Sequence, residues 1–378
     1  MTEVVSVAGV GMTPFRRSGD ADVVELACRA VVEAVRNAGL DRSDVDVAYV
    51  ASAYETAGMG QRVLKELGLV GIPISNVENA CASGADAFRQ GVRDIRAGEA
   101  GTALVLGCDT PSRLASSGVL PLLPGDPALE FGLTAPALYA MRARKYMHEF
   151  GVTPSQVAEV AVKNRRHGAA NPLAMFRQPV SNAEVLASPM IAEPLTRLQC
   201  CPVSDGAAAV VLTRSHAIGG LCTVRAATLV SGTLQDHADA VDTVSTRAAS
   251  LAFDQAGVDR RDLSFCEVHD AFSIGELLAI EAIGICGPGE AAAYVERGLA
   301  SLGGEGVTIS PSGGLLSRGH PPAATSLAQV VEAALQFSGR AHGRQVESPR
   351  LAACHTRGGG SFDLDANACA VLVLERAA

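Results

Sequence analysis

Apolar residues fall into short runs and helical stripes that alternate along the chain. Residues 4–9 read as a strand. Residues 23–37 carry apolar side chains at helical spacing and stop at Gly39. Residues 45–51 are strand-like, 80–97 read as a helix and 102–107 as a buried strand. The alternation resumes later, with a strand at 222–230, a helix at 241–256 ending at Gly257, a strand at 263–268 and helices at 272–283 and 323–337. Strands at 351–354 and 369–374 follow. Near-continuous apolar strands separated by helices predict an α/β protein whose sheets are covered on both faces.

The two stretches are related. Ala38-Gly39-Leu40-Asp41-Arg42-Ser43-Asp44-Val45 returns, more than half a chain later, as Ala256-Gly257-Val258-Asp259-Arg260-Arg261-Asp262-Leu263. Each copy leaves a helix and enters a strand, which predicts two copies of one αβ unit. Between about 110 and 200 the pattern breaks. Pro111, Pro121, Pro124, Pro127 and Pro136 are followed by polar helices near 138–149 and 154–168. This segment reads as an insertion into the first copy, placed where insertions often cover an active site. The chain re-enters the sheet through Ser204-Asp205-Gly206 and a strand at 207–212. The expected division is 1–218 for the first copy with its insertion and 219–378 for the second.

Composition narrows the picture. Aromatics are only 4% of 378 residues and Trp is absent, which suits helices laid closely on sheets. A formal net charge of −9 argues against a nucleic-acid partner. Arg142, Arg144, Lys145, Lys163, Arg165 and Arg166 gather locally, either as a dock for an anionic ligand or as solvated helix faces. No apolar run approaches the roughly 18 residues of a membrane span. The start of the chain lacks a basic segment followed by an apolar signal core, so the expected location is the cytoplasm. Ten cysteines without a CxxC pair read as reduced thiols, with no structural zinc site. The adjacent Cys200 and Cys201 read as packing.

Four segments could carry chemistry. Glu78-Asn79-Ala80-Cys81-Ala82-Ser83-Gly84 puts a cysteine at a helix start, where free amides favour a thiolate. Cys266-Glu267-Val268-His269-Asp270-Ala271-Phe272 ends a strand, where the sites of open α/β sheets gather. In Ser310-Pro311-Ser312-Gly313-Gly314-Leu315-Leu316-Ser317-Arg318-Gly319-His320-Pro321-Pro322 a histidine precedes a helix. It is placed as a general base or oxyanion donor, and the run lacks the Lys-Ser/Thr of a phosphate loop. Cys354-His355-Thr356-Arg357-Gly358-Gly359-Gly360 ends a strand in a Gly-rich loop whose amides could serve an oxyanion hole. Singly, each has a plain structural reading as a buried thiol, a capping histidine or a turn. Together, one Cys and three His at strand ends and helix starts of both copies point to covalent catalysis. Of the other histidines, His167 is the one expected to line a pocket. Asp/Glu pairs at metal-like spacing do not stand out.

Cys81 at a helix start, HDxF, GGxxxxGHP and a terminal Gly-rich loop, in that order, resemble the thiolase superfamily. The run Gln199-Cys200-Cys201-Pro202-Val203-Ser204-Asp205-Gly206 and residues 163–175 are most similar to the sterol-carrier-protein-x, or lipid-transfer-protein, branch. The resemblance covers essentially the whole chain. It implies a thiolase fold, two βαβαβαββ repeats in a five-layer αβαβα sandwich with an inserted loop domain. It also implies a homodimer or dimer of dimers acting on acyl-CoA, with coenzyme A as substrate and no permanent cofactor or metal. Carried over by residue, Cys81 is the nucleophile, His320 activates it, and His269 takes the place of an Asn in most thiolases. Cys354 or His355 is the second acid/base, and the backbone at Gly358 contributes a second oxyanion hole. Ser312 and Gly313, with His167, are expected beside the substrate. The implied activity is Claisen condensation or thiolytic cleavage of a 3-oxoacyl-CoA. Two alternatives stand beside it: a thiolase-fold lyase or acyltransferase subunit that needs a small zinc-ribbon/OB-fold partner, and a non-catalytic lipid-binding scaffold. Ala271, where some members carry Cys, and the interrupted CxG motif keep the partner-dependent alternative open.

Overall fold

The computed structural model describes residues 3–18, 20–115, 131–214, 220–234, 243–359 and 365–377. The first half runs β1 (Val5–Met12), α1 (Val23–Ala38), β2 (Val47–Ala51), α2 (Met59–Glu66), β3 (Ile74–Val77), α3 (Ser83–Ala97) and β4 (Thr102–Asp109). An insertion follows with α4 (Ala135–Phe150), α5 (Pro154–Ala169), α6 (Asn182–Ala187) and the antiparallel pair β5 (Met190–Ala192) and β6 (Leu195–Thr196). The chain then returns as β7 (Gly206–Arg214). The second half runs β8 (Cys222–Val230), α7 (Thr243–Ala256), β9 (Phe265–Glu267), α8 (Ser273–Ile283), α9 (Ala291–Glu296), β10 (Thr308–Ile309), α10 (Gly314–Arg318), α11 (Pro322–Phe337), β11 (Leu351–Gly358) and β12 (Ala368–Arg376).

Local chemistry sets these boundaries. The Asp22 side chain accepts from Val24 N at the start of α1, and Gly39 closes the helix in the left-handed conformation, φ +67°. Gly257 closes α7 in the same way, φ +64°. Each helix end is followed by a short 3₁₀ turn, Arg42–Asp44 or Arg260–Asp262, and then a strand. The repeated octapeptide therefore marks equivalent corners of two repeats. Thr153 and Gln156 form a capping box at α5, with Pro154 in its first turn.

The sheet order is β3-β2-β4-β7-β1 in the first half and β10-β9-β11-β12-β8 in the second, one topology twice. In each half the second strand runs parallel to the third and fourth, and the last strand is antiparallel to the fourth and first. The halves join antiparallel through Val5–Val224, Ser6–Thr223 and Val7–Cys222.

Alternation along the strands feeds three apolar cores. Leu104 and Leu106 of β4 face α1 and α2, whereas Ala103 and Val105 face the space between the sheets. Leu372 and Leu374 of β12 face that same space, and Val371 and Val373 face α7 and α8. The central space holds α3 and α11, so the layers read αβαβα, as the thiolase resemblance implies. Burying each such Leu or Val contributes roughly 1.5–3 kcal/mol. The α3 and α11 helices meet backbone to backbone. A Cβ on Gly84 would stand 2.3 Å from the Ala323 carbonyl oxygen.

The insertion leaves the first half and packs on the second. The Arg142 guanidinium donates to the Asp365 carbonyl, and Lys163 pairs with Glu276 at 3.1 Å in the buried interior. The basic residues around it do not form one surface. Lys163 and Arg165 are buried, the latter 4.0 Å from the Phe176 ring, while Arg144, Lys145 and Arg166 are exposed. Pro121, Pro124 and Pro127 lie outside the described residues. Among the described residues no helix is long and apolar enough to cross a membrane.

Candidate active site

The second strand of each half ends over a loop, and the central helices α3 and α11 point their N-termini at those loops. Cys81 stands two residues before α3, and His320 stands two residues before α11. The turn into α3 is tight. Ala80 has φ +48°, a conformation costing a non-glycine residue about 1–2 kcal/mol. Asn79 N donates to the Ser83 hydroxyl at 2.7 Å, Ser83 Oγ donates to the Ala80 carbonyl, and Asn79 Nδ2 donates to Asp86 at 2.7 Å. These bonds hold the strained turn that presents Cys81.

Around it, Cys81 Sγ and one ring nitrogen each of His269 and His320 lie within 4.8 Å of one another. The two imidazoles meet edge to face at 5.1 Å. His320 Nδ1 lies 2.7 Å from Thr325 Oγ1, and that hydroxyl donates its only proton to the Pro321 carbonyl at 2.8 Å. Thr325 must therefore accept from Nδ1–H, which leaves Nε2 with a free lone pair. Ser204 Oγ accepts from the His320 amide, and Asp109 Oδ2 accepts from Ala323 N at 2.7 Å, which fixes the start of α11. His269 Nδ1 is buried and has no partner, a polar atom waiting for one.

Burial governs the charges. It pushes the Cys81 thiol up to about 12, against the amides of Gly359 and Cys81 that pull it down. Burial also holds His320 down at about 3, with Arg318 adding to the effect, and depresses His269. The amides at the helix start favour a thiolate, as expected, but they are the smaller effect. Desolvation outweighs the dipole and favours the neutral thiol and imidazoles.

Two buried ionic groups support the loops. Asp270 accepts from Leu315 N at 2.7 Å and Asn164 Nδ2 at 2.6 Å. Glu267 accepts from both Ser312 N and Ser312 Oγ and pairs with Arg318 at 3.4 Å. Burial raises all of these carboxyls, and Lys163 and Arg318 oppose it. Removing one partner of such a pair costs about 3–5 kcal/mol.

Of the sequence-predicted residues, Cys81, His269 and His320 come together beside the backbone at Gly358, and the others stand apart. Cys354 is paired with Glu267 on neighbouring strands and faces the core between the sheets. It stands five residues before Gly359, the residue whose amide meets the thiol, or about 17 Å along a strand. His355 is buried with Nε2 2.8 Å from Ser245 Oγ and Nδ1 3.5 Å from the His269 amide, so it buttresses His269 from behind. Neither presents a proton-transfer group to Cys81. Gly358 packs against Asn79 and Ala82, where a Cβ would stand 2.2 Å from the Asn79 carbonyl oxygen.

His167, Ser312 and Gly313 also differ from expectation, because they are framework. Both His167 ring nitrogens meet backbone, Ser310 O and Leu302 N. Ser312 is taken up by Glu267, and Gly313 sits at φ +96° against Gly168. Sequence reasoning missed Thr325 and Asp109, whereas the Gly359 amide belongs to the Gly-rich loop expected to offer backbone donors. A Thr in the first turn after Pro321 was the one visible signal, as a short polar side chain within reach of His320. By ligand type, a thiolate and two imidazoles could also hold zinc. The fixed His320 tautomer and the thiol at a strained helix start equip the same three residues for nucleophilic attack.

The fold is an α/β fold with a thiol set beside two imidazoles, and sequence comparison gives its family. The chain belongs to the thiolase family: residues 5–216 match the thiolase N-terminal domain and residues 226–373 the thiolase C-terminal domain-like family. It is 38% identical over 368 residues to benzoylsuccinyl-CoA thiolase subunit BbsB of Thauera aromatica, covering 94% of this chain and 95% of that one. It is 35% identical to an acetyl-CoA acetyltransferase of Methanothermobacter thermautotrophicus, covering 94% and 96%. It is also 35% identical to human sterol carrier protein 2, covering 94% of this chain and 70% of that protein. Among solved structures it resembles an Ltp2-ChsH2(DUF35) aldolase, with TM-score 0.86, 26% identity and coverage of 99% and 98%.

Proposed function

We propose that this chain is a thiolase-type acyltransferase that makes or cleaves a C–C bond of a 3-oxoacyl-CoA through an acyl-enzyme on Cys81. The observation that carries this reading is the Cys81–His269–His320 cluster with Nε2 of His320 free to accept a proton. His320 takes the thiol proton as Cys81 attacks the thioester carbonyl. The oxygen that becomes negative needs donors, and the Gly359 and Cys81 amides already point at the thiol. His269 would give its ring N–H to the oxygen of the second thioester. Coenzyme A enters as substrate and leaves as product. The enzyme would work as a homodimer or dimer of dimers in the cytoplasm.

Intact mass spectrometry after mixing with a panel of acyl-CoA and 3-oxoacyl-CoA thioesters tests this. The expected result is an acyl adduct that Cys81→Ala loses, and turnover about 10⁴-fold or more lower in that variant. No adduct with any thioester would sink the reading.

A second reading is a thiolase-fold lyase or acyltransferase subunit acting with a small zinc-ribbon/OB-fold protein. Two observations favour it: one relative is named as a subunit, and the solved structure pairs its thiolase-like chain with a DUF35 protein. An adduct that forms only when such a partner is co-purified would select it.

A further inference from the structure

Chemistry at a thioester α-carbon requires a group that removes or returns a carbon-bound proton, and neither Cys354 nor His355 is placed to do so. All ten cysteines are among the described residues, so the search for a second thiol is complete. Cys28 and Cys108 pack at the outer core of the first half, Cys222 and Cys354 between the sheets, and Cys266, Cys286 and Cys369 in the second half. Cys200 turns its thiol to the Thr196 carbonyl at 3.4 Å.

Cys201 differs. Its segment is stitched between the two histidine loops. Cys201 N donates to the Ala271 carbonyl at 2.8 Å, two residues after His269, and Cys200 bridges to Phe272. Val203 bridges to His320, and Ser204 Oγ accepts from the His320 amide at 2.6 Å. Cys201 retains partial access, as Cys81 does, in a stretch where Val203, Ser204, His269 and His320 are buried. Burial raises the Cys201 thiol well above its ordinary value, and the charges of Cys200, Cys81 and Asp270 add to that effect.

We propose that Cys201 is the second catalytic thiol of this site, handling the α-carbon proton while Cys81 carries the acyl group. The inference rests on the acyl-enzyme reading above. In the first half-reaction His320 takes the Cys81 proton, Cys81 sulfur bonds the acyl carbon, and the carbon–sulfur bond to coenzyme A breaks. The departing CoA thiolate takes the Cys201 proton. In the second half-reaction the Cys201 thiolate takes a proton from the α-carbon of another acyl-CoA. The enolate attacks the acyl carbon, Cys81 leaves as thiolate, and His320 returns its proton to Cys81. Both thiols and the imidazole end as they began.

The test separates the two half-reactions. Wild type and the Cys201→Ser, Cys200→Ala and Tyr54→Phe variants are mixed with acetyl-, propionyl- or butyryl-CoA in D₂O. Acylation of Cys81 is read by intact mass and α-deuteration by mass of the recovered thioester. Cys201→Ser is expected to keep its thermal midpoint, which reports that it folds, to acylate Cys81 more slowly for want of the proton given to the departing CoA thiolate, and to lose α-exchange by about 10²–10⁴-fold. Cys200→Ala is expected to acylate and exchange like the wild type. Tyr54 is the rival, because its phenol also feels the charge of Cys81. Wild-type exchange in Cys201→Ser, or loss confined to Tyr54→Phe, overturns the assignment. Failure of the wild type itself to acylate overturns the acyl-enzyme reading instead.

Discussion

The two halves share one topology, yet in the proposed reaction the same position in each serves opposite ends of a proton transfer. The third strand of each half leads to a helix of the central layer, and the residue two before that helix is Cys81 in one half and His320 in the other. The positive end of a helix favours an anion and disfavours a cation. At α3 that end lowers the cost of a thiolate, and at α11 it helps keep the imidazole neutral and able to accept. Each half also completes the other. Asp109, ending β4, caps α11 through Ala323 N, and the amide just beyond β11 reaches Cys81. A duplicated fold thus yields one asymmetric site, because two equivalent helix starts hold a donor and an acceptor.

The comparison can be broken most severely at His320. His320→Ala is expected to lower single-turnover acylation of Cys81 by roughly 10²–10⁴-fold, while acyl-CoA binding changes little. Because burial holds His320 near 3, wild-type acylation at pH 5.5 should stay close to its rate at pH 7.5. A histidine at its ordinary value of about 6.5 would lose about ten-fold over that interval, since its neutral form falls with pH. A ten-fold loss, measured by quenched-flow mass spectrometry, would show that the imidazole is not held neutral by burial.

The next largest effect concerns the contact that brings the helix starts together. A side chain on Gly84 collides with the Ala323 carbonyl, and neither backbone has room to retreat within the central layer. Gly84→Val is expected to cost several kcal/mol, beyond the roughly 1–3 kcal/mol of ordinary overpacking. It should also slow acylation by parting Cys81 from His320. A variant with unchanged thermal midpoint and unchanged acylation would mean that the helices are free to separate.

A smaller effect separates His269 from the group behind it. His355 holds the His269 amide and is itself held by Ser245. Ser245→Ala leaves a buried nitrogen short of a partner, costing about 1–3 kcal/mol. It is expected to lower kcat modestly, with Cys81 acylation retained. Loss of the adduct in this variant would place His355 in the first step after all.

How much of this was legible follows the burial pattern. Continuous apolar strands such as β4 and β12, and helices with Gly caps such as α1, were readable within a few residues. The strand β3 was not. It carries Ser75 and Asn76 exposed on a sheet edge, so its period is that of a surface segment. Cys81, His269 and His320, the residues of the proposed site, were legible because each sits in a loop beside a helix start. The role of Cys354 was misread because sequence spacing does not reveal which face of a strand a residue takes, nor how far the Gly-rich loop extends before it meets Cys81. Cys201 was hidden for a related reason. Its neighbours in space, Ala271 and His320, are distant in sequence, and two adjacent cysteines in an apolar run look like packing.

The smallest expected effect sharpens the comparison at the turn before α3. Ala80 holds φ +48° without the freedom of glycine, whereas the equivalent entry to α11 uses Gly319 at φ +108°. Relieving Ala80 by Ala80→Gly should stabilise the folded chain by up to about 1 kcal/mol, because the left-handed conformation no longer meets a Cβ. The same change loosens the turn that aims Cys81, so acylation should slow a few-fold while the thermal midpoint rises. Opposite signs in the two measurements would identify the strain as part of the nucleophile's placement. A fall in both would show that the Ala80 methyl contributes packing, and then strain at this turn would not be what sets the first half apart from the second.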